Sequence, residues 1–171
     1  MAEDAFAEAL ENREKLPWVK RGLTDRSYKK KINHNVSGDS DNNFELATVG
    51  DALLKFSLSM ILLDRVDQLT KKREVYECDK NLVKIIGKHY HIADYILYDS
   101  DNKDILMDYR WDVEEGEDPP HKHIATAVEG ALGGLYMEHK DLDEIFAIVR
   151  KWIDLVDTEN KVSEAVRHPG Y

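Results

Sequence analysis

The chain has 171 residues, of which 42% are hydrophobic and 34% charged, a composition typical of one soluble globular domain. Its longest apolar stretch, residues 53–63, is interrupted by Lys55 and two serines and is shorter than the roughly 20 residues needed to cross a bilayer. The single cysteine, Cys78, excludes an internal disulfide and a multi-cysteine zinc site. Residues 1–4 are acidic and lack the apolar core of a secretory signal, so we expect a cytoplasmic protein without a membrane partner.

The net charge of −10 argues against non-specific binding to nucleic acid, because that affinity comes largely from Lys and Arg contacts with phosphates. The charge is unevenly distributed, however. Residues 13–31 contain eight basic and two acidic residues, whereas residues 99–118 contain nine acidic and two basic residues. A basic strip can lie beside a polyanion even on an acidic protein, although a solvated surface is an equally good interpretation of either run.

The sequence patterns predict helices nearly throughout, because proline and glycine are sparse and hairpin signals are missing. The predicted helical segments cover residues 3–15, 18–28, 44–66, 71–89 with an interruption near Asp79, 93–97, 121–138 and 141–156. The segment 44–66 has apolar residues around most of its circumference, which predicts a central and largely buried helix. Residues 33–43 have loop composition and end in asparagines suited to cap that helix. We expect an all-α fold.

Two acids interrupt otherwise apolar helical segments, Asp51 in the first and Glu129 in the second. Small residues flank both of them: Gly50, Ala52, Gly130 and Ala131. A buried carboxylate is costly unless a cation, hydrogen bonds or a proton compensates its charge. Small neighbours let two helices approach closely, so the two acids can meet and form a hard-oxygen site for Mg²⁺, or for Mn²⁺.

Both acids occur in the same pattern, with an alanine four residues and a threonine three residues earlier. Residues at this spacing share a helix face with the acid, so Ala47 and Thr126 leave room there for metal-bound water. An alternative stays open for each acid: it faces solvent or pairs with a lysine, such as Lys55, which lies four residues after Asp51.

Around these acids the sequence resembles the ribonuclease III catalytic domain. Residues 22–28 (Gly-Leu-Thr-Asp-Arg-Ser-Tyr) look like the Thr-His-Arg-Ser-Tyr segment of that family, with Asp25 in place of the histidine. Residues 49–53 (Val-Gly-Asp-Ala-Leu) look like the end of the Glu-Arg-Leu-Glu-Phe-Leu-Gly-Asp signature. Residues 81–87 resemble the Asn-x-x-Leu-Ala-x-Ile-Ala region, and residues 122–136 (Lys-His-Ile-Ala-Thr-Ala-Val-Glu-Gly-Ala-Leu-Gly-Gly-Leu-Tyr) resemble the second signature, Lys-x-Leu-Ala-Asp-x-x-Glu-Ala-Leu-Ile-Gly-Ala-Ile-Tyr.

The match to the four metal-binding acids of that family is incomplete. Asp51 and Glu129 match two of them, whereas the other acids fall on Ala47 and Thr126, and the first glutamate of the signature falls on Phe44. Alanine and threonine at these two places also resemble the Mini-III ribonucleases. Unlike those enzymes, this chain keeps the Arg-Ser-Tyr segment and is somewhat longer, so it is not assigned to that branch.

The resemblance implies a ribonuclease III-like helical endonuclease domain over residues 16–157. We expect an amphipathic segment at residues 1–15 before it and a polar, frayed tail at residues 158–171 after it. We expect no double-stranded-RNA-binding domain. It further implies a homodimer that binds duplex RNA and cleaves it with divalent metal. Lys122 occupies the place of a lysine that contacts the phosphate in many members. The alternative is a catalytically inactive domain that serves as an RNA-binding or ribosome-associated structural module.

Basic clusters are the candidate RNA contacts, because phosphates dominate the affinity for a duplex. They are Arg26, Lys29, Lys30, Lys31, Lys71, Lys72 and Arg73.

Overall fold

A computed structural model of the chain describes residues 4–28, 41–98, 109 and 122–167. Seven α-helices occur in these segments: α1 (Ala5–Glu11), α2 (Pro17–Gly22), α3 (Phe44–Leu62), α4 (Leu69–Glu77), α5 (Asp79–Asn81), α6 (Lys122–His139) and α7 (Leu142–Arg167). A π-helix, Leu82–Gly87, continues α5, and 3₁₀ turns occur at Arg13–Lys15 and Ile92–Asp94. In the described segments the one β-type pairing is an isolated bridge between Thr24 and Leu97. The all-α prediction is confirmed.

Helices α3 and α6 form the centre of the fold, and glycines bring their backbones together. A Cβ atom on Gly50 of α3 would overlap the carbonyl oxygen of Glu129, and one on Gly133 of α6 would overlap that of Leu46. On another side of α6, the pairs Gly22–Gly130 and Trp18–Gly134 bring α2 equally close. The predicted approach of two helices through small residues is therefore confirmed.

The hydrophobic core surrounds α6 and includes the N-terminal helix. Phe6 of α1 is buried and makes edge-to-face contacts with Tyr90 and with Trp152 of α7. Asp4 caps α1 by accepting a hydrogen bond from the amide of Ala7, at 3.3 Å. Within the described residues, no helix is long and apolar enough to span a membrane.

The predicted asparagine cap of α3 is present only in part, because the N-cap residue Asn43 makes no side-chain capping bond and the preceding Asn42 does. The side-chain oxygen of Asn42 accepts a hydrogen bond from the amide of Phe44, at 3.0 Å. The carbonyl oxygen of Asn43 accepts one from the amide of Ala47, at 2.7 Å. The first bond satisfies an amide that has no partner inside the first turn of the helix, and the second begins the regular helical series.

Three helix predictions are wrong in extent. Helix α2 ends at Gly22 rather than near residue 28, because the backbone of Leu23 and Asp25 exchanges hydrogen bonds with Leu97. The segment 93–97 contains only the short turn Ile92–Asp94. The last predicted helix is too short, since α7 continues past Asp157 to Arg167, and residues 168–171 lie outside the described residues. The predicted interruption near Asp79 is confirmed, at the break between α4 and α5.

Helix α3 is buried on one face only, so its prediction as largely buried is wrong for the other face. Leu54, Leu58 and Ile61 lie in the core, whereas Phe56 and Met60 are 46% and 53% exposed. An apolar face left in contact with water is typical of a surface that another chain covers. The acidic run at 99–118 lies outside the described residues except for Tyr109.

Candidate active site

The crossing of α3 and α6 brings the two predicted acids together. Asp51 follows the glycine that packs on the backbone of Glu129, and the two carboxylates are near enough for the charge of Asp51 to act on Glu129. Burial, together with the negative charges of Asp51 and Asp79, raises the pKa of Glu129 to about 8. Glu129 therefore lies in a place where negative charge is only partly compensated.

Asp51 forms an ion pair within its own helix. Its Oδ2 atom accepts a hydrogen bond from the ammonium group of Lys55, one turn later on α3, at 2.7 Å. This bond raises the pKa of Lys55, because it favours the charged ammonium form. The pairing that the sequence left open for Asp51 is thus present in the structure.

Further charged groups surround this pair. Lys122, at the start of α6, lies 3.6 Å from Asp79, and its charge lowers the pKa of Glu129. Arg73 of α4 lies 2.9 Å from Glu77 and donates a hydrogen bond to the hydroxyl of Ser59, at 3.1 Å. We call Asp51, Lys55, Glu77, Asp79, Lys122 and Glu129 the charged cluster.

The two positions that replace family acids contribute no carboxylate. Ala47 is buried on α3, one turn before Asp51. Thr126 is half-buried on α6, and its hydroxyl donates a hydrogen bond to the carbonyl of Lys122, at 3.1 Å. In the parts of the chain that the structure describes, no three His, Cys, Asp or Glu side chains converge as a complete metal cage.

The donor chemistry fits one divalent ion such as Mg²⁺. Carboxylate oxygens are its preferred protein ligands, and it commonly binds through one or two of them and keeps several waters. A cation at Asp51 and Glu129 would also offset the cost of burial and the repulsion between acids, which together raise the pKa of Glu129. The residues present are therefore suited to hold such an ion, although two carboxylates are fewer than the four of the family pattern.

The structure distributes the predicted RNA contacts unevenly. Arg26 is exposed beside the ring of Phe44, and Lys71 and Lys72 are exposed on α4. Arg73 is directed toward Glu77 and Ser59 instead of solvent. Lys29, Lys30 and Lys31 lie outside the described residues.

The sequence interpretation missed two sets of residues. Glu77 and Asp79 join the charged cluster only through tertiary packing, so no local pattern marks them. The second set is Lys80, Lys84 and Lys88, which are all exposed along α5 and the π-helix. Their spacing of four residues was visible in the sequence and places them on one side of a continuous helix.

An apolar surface lies on the exposed side of α3. It consists of Phe56, Met60 and Leu63, with Phe146 of α7 beside Phe56 at a ring-centroid distance of 5.9 Å. The guanidinium group of Arg150 lies over the ring of Phe146. We refer to Phe56, Met60, Leu63 and Phe146 as the α3 apolar patch.

The family model of the ribonuclease III domain matches residues 45–140. A solved nuclease domain of ribonuclease III from Campylobacter jejuni has a TM-score of 0.62 at 21% identity, with 90% of this chain and 95% of that chain covered. A second structure of that domain has a TM-score of 0.62 at 20% identity, with 87% of this chain and 94% of that chain covered. It concerns structural flexibility in the region involved in dimer formation. No curated protein sequence matches.

These similarities define the fold as that of a ribonuclease III nuclease domain. Because the family match covers more than half of the chain, the chain belongs to the ribonuclease III domain family, whose members are endoribonucleases. The predicted fold and family are confirmed.

Proposed function

We propose that this protein is a divalent-metal-dependent endoribonuclease that cleaves double-stranded RNA, with Asp51 and Glu129 as ligands of a Mg²⁺ ion. The observation that carries the proposal is the half-buried Glu129, whose pKa is raised to about 8 beside Asp51. Ionising Glu129 in this half-buried place beside another acid costs free energy, and a bound cation would offset that cost, which favours a metal site.

The bound ion would lower the pKa of a water molecule and stabilise negative charge on the phosphate. Asp51 and Glu129 hold the ion, and the small side chains of Ala47 and Thr126 leave space for water on the same helix faces. Lys122 is 66% exposed at the start of α6, and its ammonium group contacts a phosphate of the substrate.

The proposed assembly is a homodimer formed through the α3 apolar patch. Phe56, Met60 and Leu63 are each about half exposed, which is costly for a monomer and favourable for an interface. Pairing of two domains places two sites along one duplex. The C. jejuni nuclease domain, which shares this fold, has a region involved in dimer formation.

The proposed RNA surface includes Arg26, Lys29–31, Lys71 and Lys72, to which the structure adds Lys80, Lys84 and Lys88. Lys80 immediately follows Asp79 of the charged cluster. A strand that extends along these lysines would pass the proposed metal site.

A cleavage assay with matched variants tests the proposal. The wild type should cut a long RNA duplex with Mg²⁺ and not with EDTA, whereas Asp51→Asn and Glu129→Gln should lose cleavage and still bind the duplex. Asp64→Asn, a change of the same kind at an exposed position after α3, should cut normally. Millimolar Mg²⁺ should also raise the melting temperature of the wild type more than that of the two site variants.

One observation favours the catalytically inactive alternative. Lys55 already pairs with Asp51, and a lysine can neutralise a carboxylate without any metal. In that case Mg²⁺ would produce equal shifts in the melting temperature of the wild type, Asp51→Asn and Glu129→Gln, and the duplex would be bound but not cut.

A further inference from the structure

Lys55 is a cation that is already present where the proposed metal would bind. Its ammonium group lies 2.7 Å from Asp51 Oδ2. The negative charges of Glu77 and Glu129 also raise the pKa of Lys55, so the field at the ammonium group comes from more than one carboxylate.

We propose that Lys55 sets the metal affinity of this site: its ammonium group holds Asp51 in the metal-free protein and must release or share that carboxylate when a divalent cation binds. The inference rests on the proposed metal site at Asp51 and Glu129. Lys55 is not itself one of the proposed metal ligands.

The charge balance of the cluster supports this role. Glu77 has Arg73 as its partner, Asp79 has Lys122, and Asp51 has Lys55. Among the ion pairs of the described residues, none includes Glu129. A divalent ion therefore finds Glu129 without an ion-pair partner in the described residues, but at Asp51 it meets the positive charge of Lys55.

The position of Lys55 makes the competition direct. A lysine elsewhere in the cluster would act on the metal only through its field, whereas Lys55 donates to an oxygen of Asp51 itself. Because its side chain is 44% exposed, the ammonium group has a path into solvent when it leaves. Solvent also screens the repulsion, so we expect a moderate effect: removing the charge should tighten metal binding about fivefold.

The test is a direct titration with Mn²⁺, in which electron paramagnetic resonance measures the free ion, so no cleavage activity is needed. The proteins are the wild type, Lys55→Gln, Lys55→Arg and the control Lys161→Gln, which removes the same charge from an exposed site near the end of α7. Lys55→Gln should bind Mn²⁺ about fivefold more tightly than the wild type. Lys55→Arg and Lys161→Gln should stay within about twofold of the wild type.

A double-mutant cycle isolates the contact with Asp51. In an Asp51→Asn background, Lys55→Gln should change Mn²⁺ affinity much less, because the ligand that Lys55 occupies is gone. Circular dichroism of each variant without metal verifies that the helices are retained.

The outcomes separate the two proposals. If the wild type binds Mn²⁺ but Lys55→Gln binds it equally or more weakly, the role of Lys55 is overturned and the metal site stands. If Lys161→Gln tightens binding as much as Lys55→Gln, general charge explains the effect and the role is again overturned. If the wild type shows no saturable binding, the metal site itself fails and the inference fails with it.

Discussion

Gly50 and Glu129 touch backbone to backbone: a Cβ atom on Gly50 would overlap the carbonyl oxygen of Glu129. This contact sets the spacing between α3 and α6. Because Asp51 is the next residue on α3, the same contact determines how near the two acids lie. The spacing of the two acids therefore depends on glycine, which has a hydrogen atom in place of a side chain, at position 50.

We predict that Gly50→Ala destabilises the fold strongly. The methyl group meets backbone atoms that cannot rotate away, so the helices must separate, at a cost of about 3 kcal/mol or more. Urea unfolding followed by circular dichroism measures the free energy of unfolding. Ala52→Ser, at the exposed position two residues later, is the control and should cost about 0.5 kcal/mol or less. A Gly50→Ala variant as stable as the wild type would contradict the close packing.

Glu129→Gln should make stability less dependent on pH when no metal is present. The pKa of Glu129 is raised from 4.5 in the unfolded chain to about 8 in the folded one. Its contribution to the free energy of unfolding is therefore fully present below pH 4.5 and is lost as pH rises through about 8. Gln carries no charge and avoids this loss. The free energy of unfolding of the variant should exceed that of the wild type by on the order of 2 kcal/mol at pH 9 and should equal it near pH 4.

Melting curves from pH 4 to pH 9 in EDTA provide this comparison. Glu144→Gln, on α7 near His139, is a control for loss of a carboxylate outside the cluster. An equal gain in stability at pH 4 and pH 9 for Glu129→Gln would show that neither burial nor the neighbouring acids disfavour the ionised form of Glu129 in the fold.

Charge in the α3 apolar patch should break the proposed homodimer. Met60→Glu places a carboxylate in the centre of the patch, where a partner chain would have to desolvate it. Sedimentation velocity at micromolar concentration should show a dimer for the wild type and a monomer for Met60→Glu. Val162→Glu, at an apolar side chain on α7 that is 55% exposed, should remain dimeric. A monomeric wild type would contradict the assembly.

The basic surfaces differ in their expected effect on RNA binding. Replacing Lys80, Lys84 and Lys88 together with glutamate should weaken binding of an RNA duplex by more than tenfold at low salt and flatten its salt dependence, because fewer counterions are released. The triple change of Lys29, Lys30 and Lys31 to glutamate should act in the same direction. Binding titrations at several salt concentrations measure both effects. As a control, changing Lys140, Lys151 and Lys161 to glutamate should weaken duplex binding less. Equal losses of affinity in the control and in the Lys80, Lys84 and Lys88 variant would show that only net charge matters.

The sequence by itself determined the helical class, the family and the two acids. Helical periodicity and scarce proline and glycine were enough for the class. Asp51 and Glu129 were recognisable because each interrupts an apolar helix among small residues, a pattern that requires a specific reason. The same small residues predicted the close helix crossing that the structure contains.

Only the tertiary structure decided which face of each helix is covered and which charges meet. Phe56 and Leu58 are both apolar and lie two residues apart on α3, yet only Leu58 is buried, since the position of α6 selects the inner face. The charge of Glu77 acts on Lys55, and the charge of Asp79 acts on Glu129, although each pair lies on different helices. Local patterns report what a segment prefers, whereas the electrostatic environment of a group depends on neighbours that packing brings from elsewhere in the chain.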